Sequence, residues 1–377
     1  MKFTAPASDL ANVLGYVKGI VPARTTIPIL NHVMIRATKG GVHVTATDMA
    51  MEATAFLPCD VQKPGDTTVP GHALFGIAKA FKAKDAVFSL EGHRATLSSG
   101  RTQYDFGAIP IDEFPVMPPF DDAEGEITCD ASEIKACLED AATSAAVDDN
   151  RAFLNGVFMH LEKKRLAFVG ADGHKFSRIY MDSDAKAFPK IIIPQAALKE
   201  IVGILSIGGE ATIRASKRRI EVKTDAASIT ARLIDADYPD YKAIVPEFDE
   251  PAATVTCGEL AEAIDRLLII YSGLDVRAPC AHLSASDGHV KIVGGRTGGK
   301  GQEVIDADVA TDFDFACNAR YLSDLIKRWS KDARVQMSPN RLGRAVRLTS
   351  PDHPDHMHII MTMAVHLATA DATGIAA

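Results

Sequence analysis

The chain is 377 residues long, with 41 Lys and Arg against 49 Asp and Glu, a net charge of −8, and 47% hydrophobic residues. At about 150 residues per domain this length predicts two to three domains, each able to bury its own core, and excludes a small disulfide scaffold or a disordered chain. The acidic balance argues against a protein that coats nucleic acid over its whole surface, but it leaves room for a local basic face.

The chain opens with a short alternating run at Phe3-Thr4 that leads into a helical pattern over Ser8-Asp9-Leu10-Ala11-Asn12-Val13-Leu14. Period-two alternation over Val42-His43-Val44-Thr45-Ala46-Thr47 predicts a strand. A second strand–helix unit follows, Thr68-Val69-Pro70 into Ala73-Leu74-Phe75-Gly76-Ile77-Ala78, and then a strand at Ala86-Val87-Phe88-Ser89-Leu90 with a Glu91-Gly92 turn. After a Pro- and acid-rich stretch at 118–125 the pattern returns. Ile127-Thr128-Cys129 runs into Ala131-Ser132-Glu133-Ile134, Ile192-Ile193-Pro194 runs into Ala197-Leu198-Lys199-Glu200, and Arg219-Ile220-Glu221-Val222-Lys223 alternates. A second such stretch, 245–251, precedes a third copy: Val255-Thr256-Cys257 into Glu259-Leu260-Ala261-Glu262, and Phe313-Asp314-Phe315 into Tyr321-Leu322-Ser323-Asp324.

The anchors of the first unit, Leu10, Ile134 and Leu260, are 124 and 126 residues apart, and those of the second, Leu74, Leu198 and Leu322, are 124 apart each time. A fixed period of this kind marks a tandem repeat. Two helices per repeat are too few to cover both faces of a parallel sheet, so the expected class is α+β, with two helices on antiparallel sheet in each of three domains, 1–122, 126–247 and 252–377. The proline-rich stretches are the linkers.

The longest aliphatic run, Leu267-Leu268-Ile269-Ile270, is far below the roughly 18 residues of a membrane span. Thr4, Pro6, Ser8 and Asp9 stand where a secretory signal carries its apolar stretch, so a cytoplasmic protein is expected. The six cysteines, Cys59, Cys129, Cys137, Cys257, Cys280 and Cys317, form no C-x-x-C pair and read as small buried residues.

Three tandem α+β repeats, the opening Met1-Lys2-Phe3-Thr4, and the runs Thr26-Ile27-Pro28-Ile29-Leu30-Asn31 and Thr47-Asp48-Met49-Ala50-Met51-Glu52 carry a family resemblance. Thr68-Val69-Pro70, Ser99-Gly100-Arg101, Glu113-Phe114-Pro115, Asn150-Arg151-Ala152-Phe153-Leu154-Asn155-Gly156, Ala171-Asp172-Gly173-His174-Lys175 and Asp237-Tyr238-Pro239-Asp240-Tyr241 add to it. The chain resembles the bacterial DNA polymerase III β subunit family, the β sliding clamps, over nearly its full length. The third domain matches less closely, keeping its two helix units and Met361-Thr362-Met363.

The resemblance implies a non-enzymatic homodimer whose two copies close head to tail into a ring of six domains, with helices lining the hole. Double-stranded DNA would be held by topology without base readout. The implied partners are the polymerase catalytic subunit, a clamp loader and other proteins with a clamp-binding motif, and no cofactor is implied. DNA-contacting residues would be Arg24, Lys79, Lys82, Lys199, Arg266, Lys327 and Arg328, with Lys18, Lys84, Lys135 and Lys331 beside them. A second DNA-contact loop of the family reads Val147-Asp148-Asp149-Asn150 here, with two adjacent acids. The dimer interface would pair Tyr104 and Phe106 with Ile269 and Ile270. A partner-peptide pocket between the second and third domains would be formed by Arg151, Phe153, Leu154, Ala171, Gly173, His174, Lys175, Phe176, Pro239, Ile244, Ile359 and Met361. Ala243 replaces a common Arg, the last strand ends Met361-Thr362-Met363-Ala364, and an Ala/Thr-rich tail follows at 368–377 that is expected to be disordered or to fold over the cleft as a weak competitor.

Two rival readings follow from the residues: a hydrolase or nuclease using Asp172 and His174, and a divergent accessory clamp that serves a repair polymerase or blocks the normal partners. Gly294-Gly295-Arg296-Thr297-Gly298-Gly299-Lys300-Gly301 imitates a phosphate-binding loop but lacks the Ser or Thr after Lys300 and reads as a hairpin loop. His353, His356 and His358 have metal-ligand chemistry, yet alternation into the last strand puts His356 and His358 on one face, and no metal site is expected. The pairs Asp121-Asp122 and Asp148-Asp149 have no partner acid or base.

Overall fold

The computed structural model describes residues 1–82, 84–272, 276–296 and 299–364. The tail at 368–377 lies outside the described residues, as do Thr297 and Gly298 of the glycine-rich run. The described chain forms two compact units, one of residues 1–139, 156–166 and 181–236, the other of residues 140–155, 167–180 and the chain from 237 onward.

All six strand–helix units are present. Strand Lys2–Pro6 leads into α1 (Ala7–Lys18), Gly65–Pro70 into α2 (Gly71–Ala80), Gly125–Asp130 into α3 (Ala131–Ala142) and Ile191–Pro194 into α4 (Gln195–Leu205). A single-turn helix, α5 (Tyr241–Ile244), precedes Ala253–Thr256 with α6 (Cys257–Ile269) and Phe313–Asn318 with α7 (Ala319–Ile326). The last two helices begin two residues earlier than the apolar pattern alone indicates, because Cys257 and Ala319 are themselves buried in the first turn.

Helix α1 follows from Leu10, Val13, Leu14 and Val17, which at 3.6 residues per turn form one buried stripe, with Asp9 in its first turn and Lys18 in its last complementing the dipole. Three of the helices start directly after a proline, Pro6, Pro70 and Pro194, whose fixed φ ends the strand without costing a helical N–H bond. Helix α3 is capped instead by Asp130, whose carboxylate accepts from the Ser132 hydroxyl and from the amides of Ser132 (2.8 Å) and Glu133 (3.2 Å); the hydroxyl first and the amides next hold it below the usual carboxylate range. The six repeat anchors Leu10, Leu74, Ile134, Leu198, Leu260 and Leu322 are all at most 3% exposed.

The first unit contains an eight-stranded sheet in the order Gly125–Asp130, Glu210–Ala215, Arg219–Lys223, Ala227–Arg232, Met51–Pro58, Gly41–Thr47, His32–Thr38, Gly65–Pro70. The two predicted repeats are joined in it through the antiparallel pairing of Ala227–Arg232 with Met51–Pro58. It also contains a five-stranded sheet that ends on the edge strand Thr102–Gly107. In the second unit α6 and α7 lie on one core with Trp329 and Met337. Its four-stranded sheet has Gly299–Asp306 at one edge, and the glycine-rich run forms the paired ends of that strand and of His289–Arg296, with Gly294 opposite Gly301. The described residues of the run, 294–296 and 299–301, are paired strand. Every pairing described is antiparallel, as the two-helix repeat requires.

The second unit also holds the run of strands Lys175–Asp182, His353–Met361, Ala345–Ser350, Arg334–Pro339, Ala253–Thr256 and Asp308–Val309. Gly170 is needed beside it, since a Cβ there would fall 1.9 Å from the carbonyl oxygen of Ala141 at the end of α3.

Truncating an anchor should open a cavity that this packing cannot close. Leu322→Ala is expected to lower the unfolding free energy by about 2–5 kcal/mol, measured by urea denaturation, without changing far-ultraviolet circular dichroism.

Candidate functional site

The second unit carries an apolar cleft of about 380 Å³. Its floor is the antiparallel pair Lys175–Asp182 and His353–Met361, in register Lys175 to Ile360, Phe176 to Ile359 and Ser177 to His358. Opposed residues share a face of a sheet and successive ones alternate, so Phe176 and Ile359 turn into the cleft and Ser177 and His358 turn away from it. One wall is the turn 172–175, in which Asp172 accepts from the amides of His174 and Lys175 (2.8 Å each) and Gly173 takes φ +89°. The amide of Met361 donates to the carbonyl of His174 at 2.8 Å and ties this turn to the last strand. The other walls are the short helix Ala152–Leu154 and the segment 238–246, where Asp240 caps α5 by accepting from Lys242 N at 3.1 Å.

All twelve residues expected to form a pocket line this one cleft. Four more line it that the sequence reading did not include: Tyr238, Tyr241, Val245 and Pro246. Phe153 meets Tyr238 edge to face at 5.9 Å, and Phe176 meets Tyr241 at 5.8 Å. Burial pushes the Tyr238 phenol up. The signal for the two tyrosines was the aromatic-proline spacing Tyr238-Pro239-Asp240-Tyr241, which puts a ring on each side of the proline; Val245 and Pro246 carry no such signal.

The mouth is polar and charge-compensated. Arg151 donates through Nε and Nη2 to the two oxygens of Asp149, each at 2.9 Å, and this fork holds the Asp149 carboxyl down at about 2. Lys175 donates to the carbonyl of Thr143, lies 3.9 Å from Asp172 and sits 5.1 Å above the Tyr321 ring. His174 stacks on the same ring at 6.3 Å. The Asp172–His174 dyad of the hydrolase reading is corrected here: the carboxylate is committed to the backbone amides of the turn and the imidazole to Tyr321, so the two do not form an acid–base pair.

Behind the floor lies a buried polar cluster. Ser177 Oγ is 2.7 Å from His358 Nδ1 and 2.6 Å from Ser144 Oγ, and the His358 ring packs 5.0 Å from Trp329. Asp140, 3% exposed, pairs with Arg328 and lies 3.1 Å from His356 Nδ1. Burial, with smaller contributions from His356 and Arg328, outweighs the Asp140 carboxylate and pulls His358 down to about 3.

The seven expected DNA-contacting cations fall into two groups. Arg24, Lys79, Lys82 and Lys199 are exposed, with Lys199 Nζ 3.8 Å from the Glu200 carboxylate, and Arg266 and Lys327 are exposed but held by carboxylates. Arg266 forks onto Glu303 (3.0 and 2.8 Å), Lys327 donates to Asp265 at 2.6 Å, and Arg328 is engaged by the buried Asp140, which removes it from the exposed set. Of the four expected interface residues, Tyr104 (45% exposed) and Ile269 (70%) face outward. Phe106 is 9% exposed, as the inward member of its strand, and Ile270 is part-buried with its side chain against the backbone of Gly301. Among the described residues no group of three or more His, Cys, Asp or Glu side chains is placed to hold a metal, and no helix is long and apolar enough to cross a membrane.

A family model described as the DNA polymerase III beta subunit, N-terminal domain, matches residues 1–118, and the model of the central domain matches residues 128–240. The chain belongs to the DNA polymerase III beta subunit family. The beta sliding clamp of Escherichia coli (strain K12) is 27% identical over 371 residues, covering 96% of this chain and all of that protein, and that of Caulobacter vibrioides is 26% identical over 337 residues, covering 86% and 90%. A solved beta sliding clamp of Caulobacter crescentus superposes with a TM-score of 0.88 at 24% identity over 97% of this chain and 99% of that one. The sliding clamp of Bartonella birtlesii, solved with griselimycin bound, gives 0.88 at 24% over 97% and 100%. This member of the beta subunit family is a DNA sliding clamp that confers processivity and is not an enzyme, and the accessory-clamp reading is not favoured.

The depressed His358 gives a pH test of the cluster. The native imidazole holds its proton more weakly than an unfolded one near 6.5, so its stabilisation is complete above about pH 6.5 and is lost as pH falls toward about 3. The melting temperature is expected to fall on acidification through this window, and His358→Asn to lower it at neutral pH while flattening the slope.

Proposed function

We propose that two copies of this chain, each with domains 1–122, 126–247 and 252–377, close head to tail around duplex DNA and tether the polymerase catalytic subunit through a peptide held in the cleft of the second unit. The observation that carries this reading is the cleft itself: twelve residues drawn from four separated stretches of sequence form one apolar cavity with a compensated polar mouth. Such a cavity suits a short peptide with bulky apolar anchors, and the flexible side chain of Met361 at its edge adapts to related anchors from a clamp loader or other partners.

Arg24, Lys79, Lys82 and Lys199 are the proposed DNA contacts, with Arg266 and Lys327 contributing once phosphate competes with their surface carboxylates. Few and sequence-independent contacts suffice when the ring retains DNA by topology. The edge strands Thr102–Gly107 and Gly299–Asp306 offer unpaired backbone for the closing interface, flanked by Tyr104 and Ile269. A cytoplasmic location fits this role.

Fluorescence titration with a polymerase-derived clamp-binding peptide is expected to show saturable binding that Met361→Asp abolishes; absence of binding to the folded wild type would overturn the tether. In sedimentation velocity the chain is expected to run as a dimer, and Ile269→Asp to shift it toward monomer.

A further inference from the structure

Asp149 comes from the loop 147–150, outside the cleft, yet it determines what one corner of the mouth presents. Its carboxylate takes the Arg151 side chain in a two-bond fork and also accepts the Arg151 backbone amide at 2.8 Å. Asp149 is itself fixed through its backbone: its amide donates to Asn155 Oδ1 and its carbonyl accepts from Asn155 Nδ2, both at 2.8 Å. The fork therefore has little freedom to follow a ligand. Across the corner, Gly173 keeps space for the guanidinium, since a Cβ there would lie 3.4 Å from Arg151 Nη2.

The rest of the mouth is compensated in the same way. Lys175 is drawn to Thr143 and Asp172, and Asp172 is spent on its own turn. Only about half of the Arg151 side chain is exposed, and the part directed at Asp149 is already saturated. A ligand acid arriving at this corner meets a cation whose charge is offset at contact distance.

We propose that Asp149 is a specificity-determining positioning residue: by holding Arg151 in a closed fork it makes the cleft indifferent to acidic flanks on the partner peptide, so selection rests on the apolar anchors. The inference rests on the peptide-cleft reading above. Without Asp149 the guanidinium would be available to a ligand carboxylate, and an exposed pair of that kind is worth a few-fold in affinity.

The test titrates full-length protein with two peptides, the polymerase-derived one and a twin carrying a single Asp in place of a neutral flanking residue. Wild type is expected to bind both about equally. Asp149→Asn, which keeps the shape and the backbone contacts, is expected to favour the acidic twin by roughly three- to fivefold, an advantage that fades as salt is raised and disappears in Asp149→Asn/Arg151→Gln. An unchanged ratio in Asp149→Asn, or equal weakening of both peptides, would overturn the proposal and reduce Asp149 to a loop-holding role. Failure of wild type to bind either peptide would instead overturn the cleft reading, and this inference with it. Thermal melts of each variant confirm that the ratios come from folded protein.

Discussion

One antiparallel strand pair has to serve two environments at once. Phe176 and Ile359 form the floor of an open apolar cleft, while the next pair, Ser177 and His358, is fully buried and polar. A slip of one residue would place an imidazole and a hydroxyl in the cleft and drive two large apolar groups against Ser144. The register is therefore fixed from behind, because Ser177 is satisfied only when His358 Nδ1 and Ser144 Oγ are both within reach. The shape of the cleft depends on this polar pairing more than on the apolar contacts that line it, since apolar groups have no preferred partner and hydrogen-bonded groups do.

Charge is organised by the same economy. A net charge of −8 would repel a polyanion if the cations were spread evenly. Instead Arg328 is withdrawn into a pair with Asp140, Arg151 into a fork with Asp149 and Arg219 into a pair with Asp122, while Arg24, Lys79, Lys82 and Lys199 remain on the surface. Two of these pairs, those of Arg328 and Arg219, hold segments that are distant in sequence: Arg219 reaches the linker residues Pro118 and Pro119 as well as Asp122. One member of each pair of twin aspartates, Asp122 and Asp149, is thus the counterion of an arginine.

Most of the fold was legible because its repeat is written in apolar spacing. Leu10, Leu74, Ile134, Leu198, Leu260 and Leu322 all occupy the same place in a strand–helix unit, and a helix stripe or strand alternation is a local property. The cleft was legible only through the family resemblance, since its residues are spread from 151 to 361 and no local pattern joins them. What the sequence hid is long-range and electrostatic. Nothing near Arg328 announces Asp140, which is 188 positions away, and nothing in Thr102–Gly107 says that Phe106 is the single inward residue of an edge strand. The glycine-rich run misleads for a related reason: glycine is read locally as loop, but here Gly294 and Gly301 are small because they face each other beneath Leu267 and Ile270.

A clamp that slides must hold DNA without gripping it. Affinity from phosphate contacts grows with the number of cations engaged and falls with salt, so a surface rich in free arginine would retain DNA at the expense of mobility. Three of the cations expected on the DNA side, Arg266, Lys327 and Arg328, already have carboxylate partners, which lowers what each gains from a phosphate by the cost of leaving that partner. Of the other four, three are lysines, compact charges without the planar fork that fixes arginine on a phosphate, and Lys199 too has a carboxylate near it, Glu200 at 3.8 Å. Both features weaken individual contacts. In a closed ring that weakness carries no penalty, because retention is set by the stability of the interface, and the contacts are left only to centre the duplex.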